Sequence, residues 1–197
     1  MEAAKKECIL KEAARAFAKL GFRKASVDEI ARGAGVAKGT VYLAAKSKED
    51  LFFQVLHREI RAWVAEMAKR VDPRVPADEL LAILSAESLR YLEEKPLLQD
   101  LLFGKTHEVV PALSEQWSSL RDLGNANIVE VLKLGIRQKR FRADLDVEAL
   151  AALLGDLQLT GYALMRSRPE DRAAKLEQRF RVGMDLVLHG VLRSPRT

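Results

Sequence analysis

Val27-Asp-Glu-Ile-Ala-Arg-Gly-Ala-Gly-Val-Ala-Lys-Gly-Thr-Val-Tyr-Leu-Ala44 is the stretch whose reading decides the fold. Val27, Ile30, Ala31 and Ala34 recur at intervals of three and four, the apolar face of a short helix. Ser26 stands before it with Glu29 three residues on, the pattern of a capping box. Gly35 then breaks the periodicity, as a turn requiring positive φ would demand, and a second short helix is expected from Ala37 to Ala44. Ala31 is small where the two helices would touch, and Ile30, Val36 and Val41 supply the apolar contacts that fix their crossing. Two short helices held in this way form a helix-turn-helix, whose second helix lies in the major groove of double-stranded DNA. Lys38, Gly39 and Thr40 then occupy the helix end from which side chains reach base edges. An alanine and a glycine four residues apart would arise by chance in any alanine-rich helical chain, so the reading depends on what flanks them.

Upstream, Ile9, Leu10, Ala13, Phe17 and Leu20 give a helix from about Ala3 to Leu20, which Gly21 is expected to end. Downstream, Ser47 and Asp50 repeat the capping pattern and open a long helix to about Arg70. Ser26, and Ser47 with Lys48, place hydroxyls and backbone N–H groups at helix starts, where phosphates are readily held. Tyr42 can donate to a phosphate with Lys46 adding charge beside it, and Leu43 can meet a thymine methyl. The charge distribution agrees. Residues 1–48 carry 11 Lys and Arg against 5 Asp and Glu, a net of +6, whereas residues 49–197 carry 22 against 23, a net of −1. A basic head on a near-neutral body is the footprint of a polyanion-binding module joined to a second function.

The rest of the chain also reads as helix, with no sustained alternation of period two. Asp72-Pro73-Arg74-Val75-Pro76 is a breaker. Helices follow from about Ala77 to Glu94, from Pro96, from beyond Pro111 to about Lys139, from an Asp146 cap to about Arg166, and from Pro169 to near Leu192. The expectation is an all-α protein of about nine helices: an N-terminal three-helix DNA-binding domain over residues 1–48 and a helical ligand-binding and dimerisation domain over 49–197.

Residues 9–51, from Ile-Leu-Lys-Glu-Ala-Ala-Arg-Ala-Phe through Gly21-Phe22 and the helix-turn-helix to Ser47-Lys48-Glu49-Asp50-Leu51, resemble the DNA-binding domain of the tetracycline-repressor (TetR) family. The resemblance implies an all-α homodimer that represses from a near-palindromic operator and releases it when a small molecule fills a pocket in the C-terminal domain. The family's aromatic cluster after the tyrosine is replaced here by Leu43-Ala44-Ala45, which removes packing at Ala45 and a polar DNA contact at Leu43.

Leu150, Leu153, Leu154, Leu157 and Leu164, with Gly155 and Gly161, and the apolar residues of the last helix suit a four-helix interface between two subunits. Trp63, Met67, Tyr91, Phe103, His107, Trp117 and Tyr162 are the candidates to line an effector cavity, for which an apolar or aromatic molecule is expected. The alternative is a DNA-binding helical protein with no small-molecule ligand, architectural or controlled by a partner protein. No nucleophile–base set or Gly-rich phosphate loop points to an enzyme, and no cofactor is expected. His57, His107 and His189 lack metal-ligand spacing, so no metal is expected. The single cysteine, Cys8, suits a reducing compartment and is expected to be a small core residue. The absence of a signal peptide or membrane span points to the cytoplasm.

Overall fold

A computed structural model describes residues 3–103 and 114–167, together with 182, 183 and 186. The described residues form eight α-helices and no strand: α1 (Ala3–Lys24), α2 (Val27–Gly33), α3 (Lys38–Ala44), α4 (Lys48–Ala68), α5 (Ala77–Glu93), α6 (Pro96–Phe103), α7 (Ser114–Arg137) and α8 (Val147–Ser167). The ninth helix expected from Pro169 lies outside the described residues except for 182, 183 and 186, which are helical. The chain divides into two compact units, Met1–Ala62 with Tyr91–Leu120, and Trp63–Arg90 with Arg121–Thr197.

In the first unit, α1 buries Ile9, Leu10, Ala13, Ala14 and Phe17 with Val27, Ile30 and Ala31 of α2, Val41 of α3, and Leu51, Phe52, Val55 and Leu56 of α4. Each of the valine, leucine, isoleucine and phenylalanine side chains among them contributes about 1.5–3 kcal/mol on burial. Gly21 breaks the helix as expected, with φ 76° and ψ 165°, and one more helical turn follows it to Lys24. Beyond the kink Phe22 stacks on Phe17 at 5.9 Å and meets Phe52 edge-on at 5.6 Å, while Phe17 and Phe52 stand 5.0 Å apart. Cys8 is exposed, contrary to the core position expected for it. One residue of α-helix turns the side chain by about 100°, so the position before Ile9 leaves the buried stripe.

In the second unit, Leu80, Leu81 and Leu84 of α5, Val131, Leu132 and Leu134 of α7, and Val147, Ala151 and Leu154 of α8 make the core around Phe141. Phe141 enters because Gly135 has no side chain; a Cβ there would lie 2.1 Å from the ring. Gln138 secures the loop before α5, accepting from the Ala77 N–H at 2.9 Å and donating to the carbonyls of Pro73 and Val75 at 3.0 Å each. Arg140 pairs with both carboxylate oxygens of Asp78. A buried polar group also joins α5 to α8: Gln158 donates to Ser85 Oγ at 2.7 Å and Tyr162 donates to the Ser85 carbonyl at 3.2 Å. Of the residues expected at a subunit interface, Leu154 and Gly155 are buried within the chain, whereas Leu153 and Leu157 are 51% and 41% exposed. Gly155 meets Asn125, whose Oδ1 would lie 2.0 Å from an added Cβ. Val182 and Leu186 are exposed as well.

Candidate nucleic-acid interface

The basic head builds a two-helix unit from local interactions. Ser26 is extended (φ −112°, ψ 144°) and caps α2 reciprocally: its Oγ accepts from the Glu29 N–H at 3.1 Å, while Glu29 Oε2 accepts from the Ser26 N–H at 3.4 Å. Gly35 adopts φ 65° at the turn, and the Val36 N–H reaches back to the Ala31 carbonyl at 3.0 Å. Ala37 precedes α3 without a side-chain cap. Val41 is buried on the inner side of α3, and Lys38, Gly39, Tyr42 and Leu43 are exposed on the outer side, Leu43 at 78% and Tyr42 at 48%. Thr40 is half-buried between them.

Each expected contact residue has a defined place. Lys38 Nζ lies 2.9 Å from Asp28 Oδ2 of α2, and the hydrogen bond and charge of Asp28 hold its ammonium pKa above the usual lysine value. Lys46 is exposed, and its backbone N–H donates to Asp50 Oδ2 at 2.7 Å. Ser47 Oγ accepts from the Asp50 N–H at 3.1 Å, capping α4. Lys48 turns toward the α1 kink, donating to the Arg23 carbonyl at 3.2 Å with Nζ 4.6 Å from the centre of the Phe22 ring. Ala45 is buried despite its small side chain. The end of α3 is held instead by Gln54 of α4, whose Nε2 donates to the Ala44 carbonyl at 3.1 Å and to Asp50 Oδ1 at 3.2 Å. Sequence reasoning passed over both Gln54 and Asp28. The signal for Gln54 was a polar residue set among the apolar positions of α4.

Residues 9–55 match the family model for bacterial regulatory proteins of the tetR family. The transcriptional repressor KstR2 of Mycolicibacterium smegmatis is 25% identical over 205 residues, spanning 98% of this chain and 93% of its own. The structure of the fatty acid degradation regulator FadR from Bacillus halodurans superposes with a TM-score of 0.73 at 21% identity, covering 95% of this chain and 96% of that one. The head of the chain, residues 9–55, is thus of the tetR family. The structure of the transcriptional regulator FadR from Bacillus subtilis, solved in complex with stearoyl-CoA, superposes with a TM-score of 0.70 at 20% identity, covering 94% of this chain and 98% of that one.

The residues expected to line an effector cavity fall in both units. Trp63, Met67 and Tyr162 are buried in the second unit, and the Trp63 indole N–H has no hydrogen-bond partner there. Tyr91 and Phe103 are half-buried in the first unit. His107 and the side chain of Trp117 lie outside the described residues. A cleft of about 270 Å³ in the first unit is lined by Phe17, Phe22, Phe52, Lys19, Asp100 and Leu101 among others, and by none of the seven candidates. Among the described residues no three His, Cys, Asp or Glu side chains are grouped to hold a metal ion, and no helix is long and apolar enough to cross a membrane.

Proposed function

We propose that this tetR-family regulator is a ligand-responsive repressor that reads a near-palindromic operator as a homodimer. Residues 1–48 carry the DNA contacts: Lys38, Gly39, Thr40 and Leu43 toward the bases, and Ser26, Tyr42, Lys46 and Lys48 toward the phosphates. The observation that carries this reading is the outward row of Lys38, Gly39, Tyr42 and Leu43 on α3, braced from behind by buried Val41 and by Gln54. Residues 49–197 serve dimerisation and effector binding. The exposed pair Leu153 and Leu157 supports a subunit interface through the last two helices, since exposed leucines one turn apart want a partner surface. The effector is a small apolar or aromatic molecule, and an acyl compound is the class to try first, given the stearoyl-CoA bound by the Bacillus subtilis FadR. Effector and operator bind different spacings of the two heads, so each weakens the other reciprocally. Working on DNA, the protein acts in the cytoplasm.

A second reading, DNA binding without a small-molecule ligand, draws on the buried Ser85–Gln158–Tyr162 group, whose polar atoms already satisfy one another as in a closed core. Selection of bound sequences from a random duplex library at near-physiological salt tests the main proposal. A palindrome with half-sites about one helical turn apart is the expected product, and acyl-CoA and aromatic acids are then titrated into the complex. Recovery of sequences at background frequency overturns the operator-reading role. A firm operator that no effector class releases favours the second reading.

A further inference from the structure

The helix-turn-helix itself carries no net charge. Between Val27 and Ala44 stand two acids, Asp28 and Glu29, and two bases, Arg32 and Lys38. The basic excess of the head therefore comes from α1 and from Lys46 and Lys48. Lys38 is the one cation on α3, at the end of the helix that would enter the groove. Its ammonium is held by Asp28 across the turn, ten residues away in sequence, at 2.9 Å. The two acids of α2 differ in their use. Glu29 is consumed by the capping box with Ser26, whereas Asp28 reaches α3.

Stability does not account for this pair. Both side chains remain more than half exposed, at 52% and 59%, and ion pairs of that exposure contribute little to folding. Its consequence is for what Lys38 offers to DNA. A lysine ammonium is a point charge with three donors, and a phosphate competes for it with the same chemistry as a carboxylate. Replacing Asp28 by a single phosphate oxygen gains little, because one anion is exchanged for another and the carboxylate is left beside the DNA backbone. A guanine edge offers two acceptors, O6 and N7, to a cation in the major groove and brings no second anion close to Asp28.

Resting on the DNA-reading role proposed above, we propose that Asp28 is a specificity-determining residue that acts through Lys38: it neutralises the lysine against random DNA and yields it only at a matching base. Asp28 touches no base in this scheme. It discriminates by making the wrong site less attractive, as partners are often distinguished by an added repulsive element.

The test is Asp28→Asn, with Lys38→Met and the double variant, in fluorescence-anisotropy titrations across a salt series. The probes are a labelled duplex of random sequence and the duplex recovered by selection. Asp28→Asn is expected to tighten binding to the random duplex several-fold and to steepen its log–log salt dependence by about 0.9, the value of one added phosphate contact. The selected duplex gains less, so the specificity ratio narrows. In the Lys38→Met background the same substitution changes neither. Equal tightening on both duplexes that persists without Lys38 overturns the proposal, since Asp28 then acts only as diffuse repulsion. Weaker binding by Asp28→Asn overturns it too, making Asp28 a brace that positions Lys38. If the wild-type chain distinguishes no sequence while Asp28→Asn still steepens the salt dependence through Lys38, the operator-reading role fails but the pairing mechanism on DNA survives. Failure of both is seen as flat titrations throughout. Circular dichroism and thermal midpoints confirm that the variants, changed only at exposed positions, are folded.

Discussion

Replacing Gly39 by alanine separates folding from DNA binding at a single methyl group. Gly39 is the second residue of α3 and is exposed. A Cβ built there meets no atom within 4 Å, and the backbone lies outside the positive-φ region that would strain it. Glycine in a helix costs about 0.5–1 kcal/mol relative to alanine, because its unfolded backbone has more freedom to lose. The substitution should therefore stabilise the protein by up to that amount and raise Tm by about 1–4 °C for a chain of this size. Since no protein atom feels the added methyl, a loss of DNA affinity can come only from the approach of the DNA itself. The proposed groove contact predicts at least a tenfold weaker complex with the selected operator, about 1.4 kcal/mol. Urea denaturation and anisotropy titration on the same preparation give both numbers. A less stable variant would refute the account of α3's first turn. A more stable variant with unchanged affinity would show that the outer face of α3 does not meet the groove closely.

Further outcomes follow from the same geometry. Gly35→Ala, at φ 65° with open space around it, should destabilise by about 1–2 kcal/mol through backbone strain alone, measurable as a lower urea midpoint at unchanged m-value. Tyr42→Ala should weaken binding to random and selected duplexes alike with a shallower salt dependence, whereas Thr40→Ala should relax sequence preference; unchanged binding by both would refute the proposed orientation of α3. Gly155→Ala should cost about 1–3 kcal/mol by overpacking against Asn125, and Asn125→Ala in the same chain should recover most of the loss. Asp78 is held below its ordinary value of 3.8 mainly by its hydrogen bond to Arg140. A depressed folded-state pKa means stability that is complete above the unfolded value and is lost as pH falls through the folded one. Asp78→Asn should therefore lower the thermal midpoint at neutral pH and flatten its decline below about pH 4, and a parallel decline in the two proteins would exclude the pair as a source of acid sensitivity.

The local grammar of the head was legible because short-range rules decide it. Ser26 with Glu29, Gly35, and Ser47 with Asp50 each do what their spacing in the sequence implies, and the helix starts at Ala77, Pro96 and Val147 follow from the prolines and Asp146. What the sequence concealed depends on contacts between elements. The periodicity of α1 showed that Gly21 would break the helix but not the further turn beyond it, which Phe22 fastens by docking on Phe17 and Phe52. Gln158 stands in a leucine-rich stretch of α8, yet it is buried because Ser85 of α5 supplies its partner 73 residues away. Lys38 read as a free cation for the same reason: its partner Asp28 lies across a turn, where no helical spacing brings them together. The Lys139 backbone, at φ 59°, closes α7 in a conformation for which glycine or asparagine would have been the visible sign.

Cys8, the only thiol in the chain, stands on the solvent side of α1. The protein therefore comes with a native attachment point for a maleimide dye or a nitroxide, without any cysteine having to be added or removed. In the proposed homodimer each head would carry one label, and electron–electron dipolar spectroscopy would read a single distance between them. Measured with the operator and then with an effector, that distance would become a ruler for regulation.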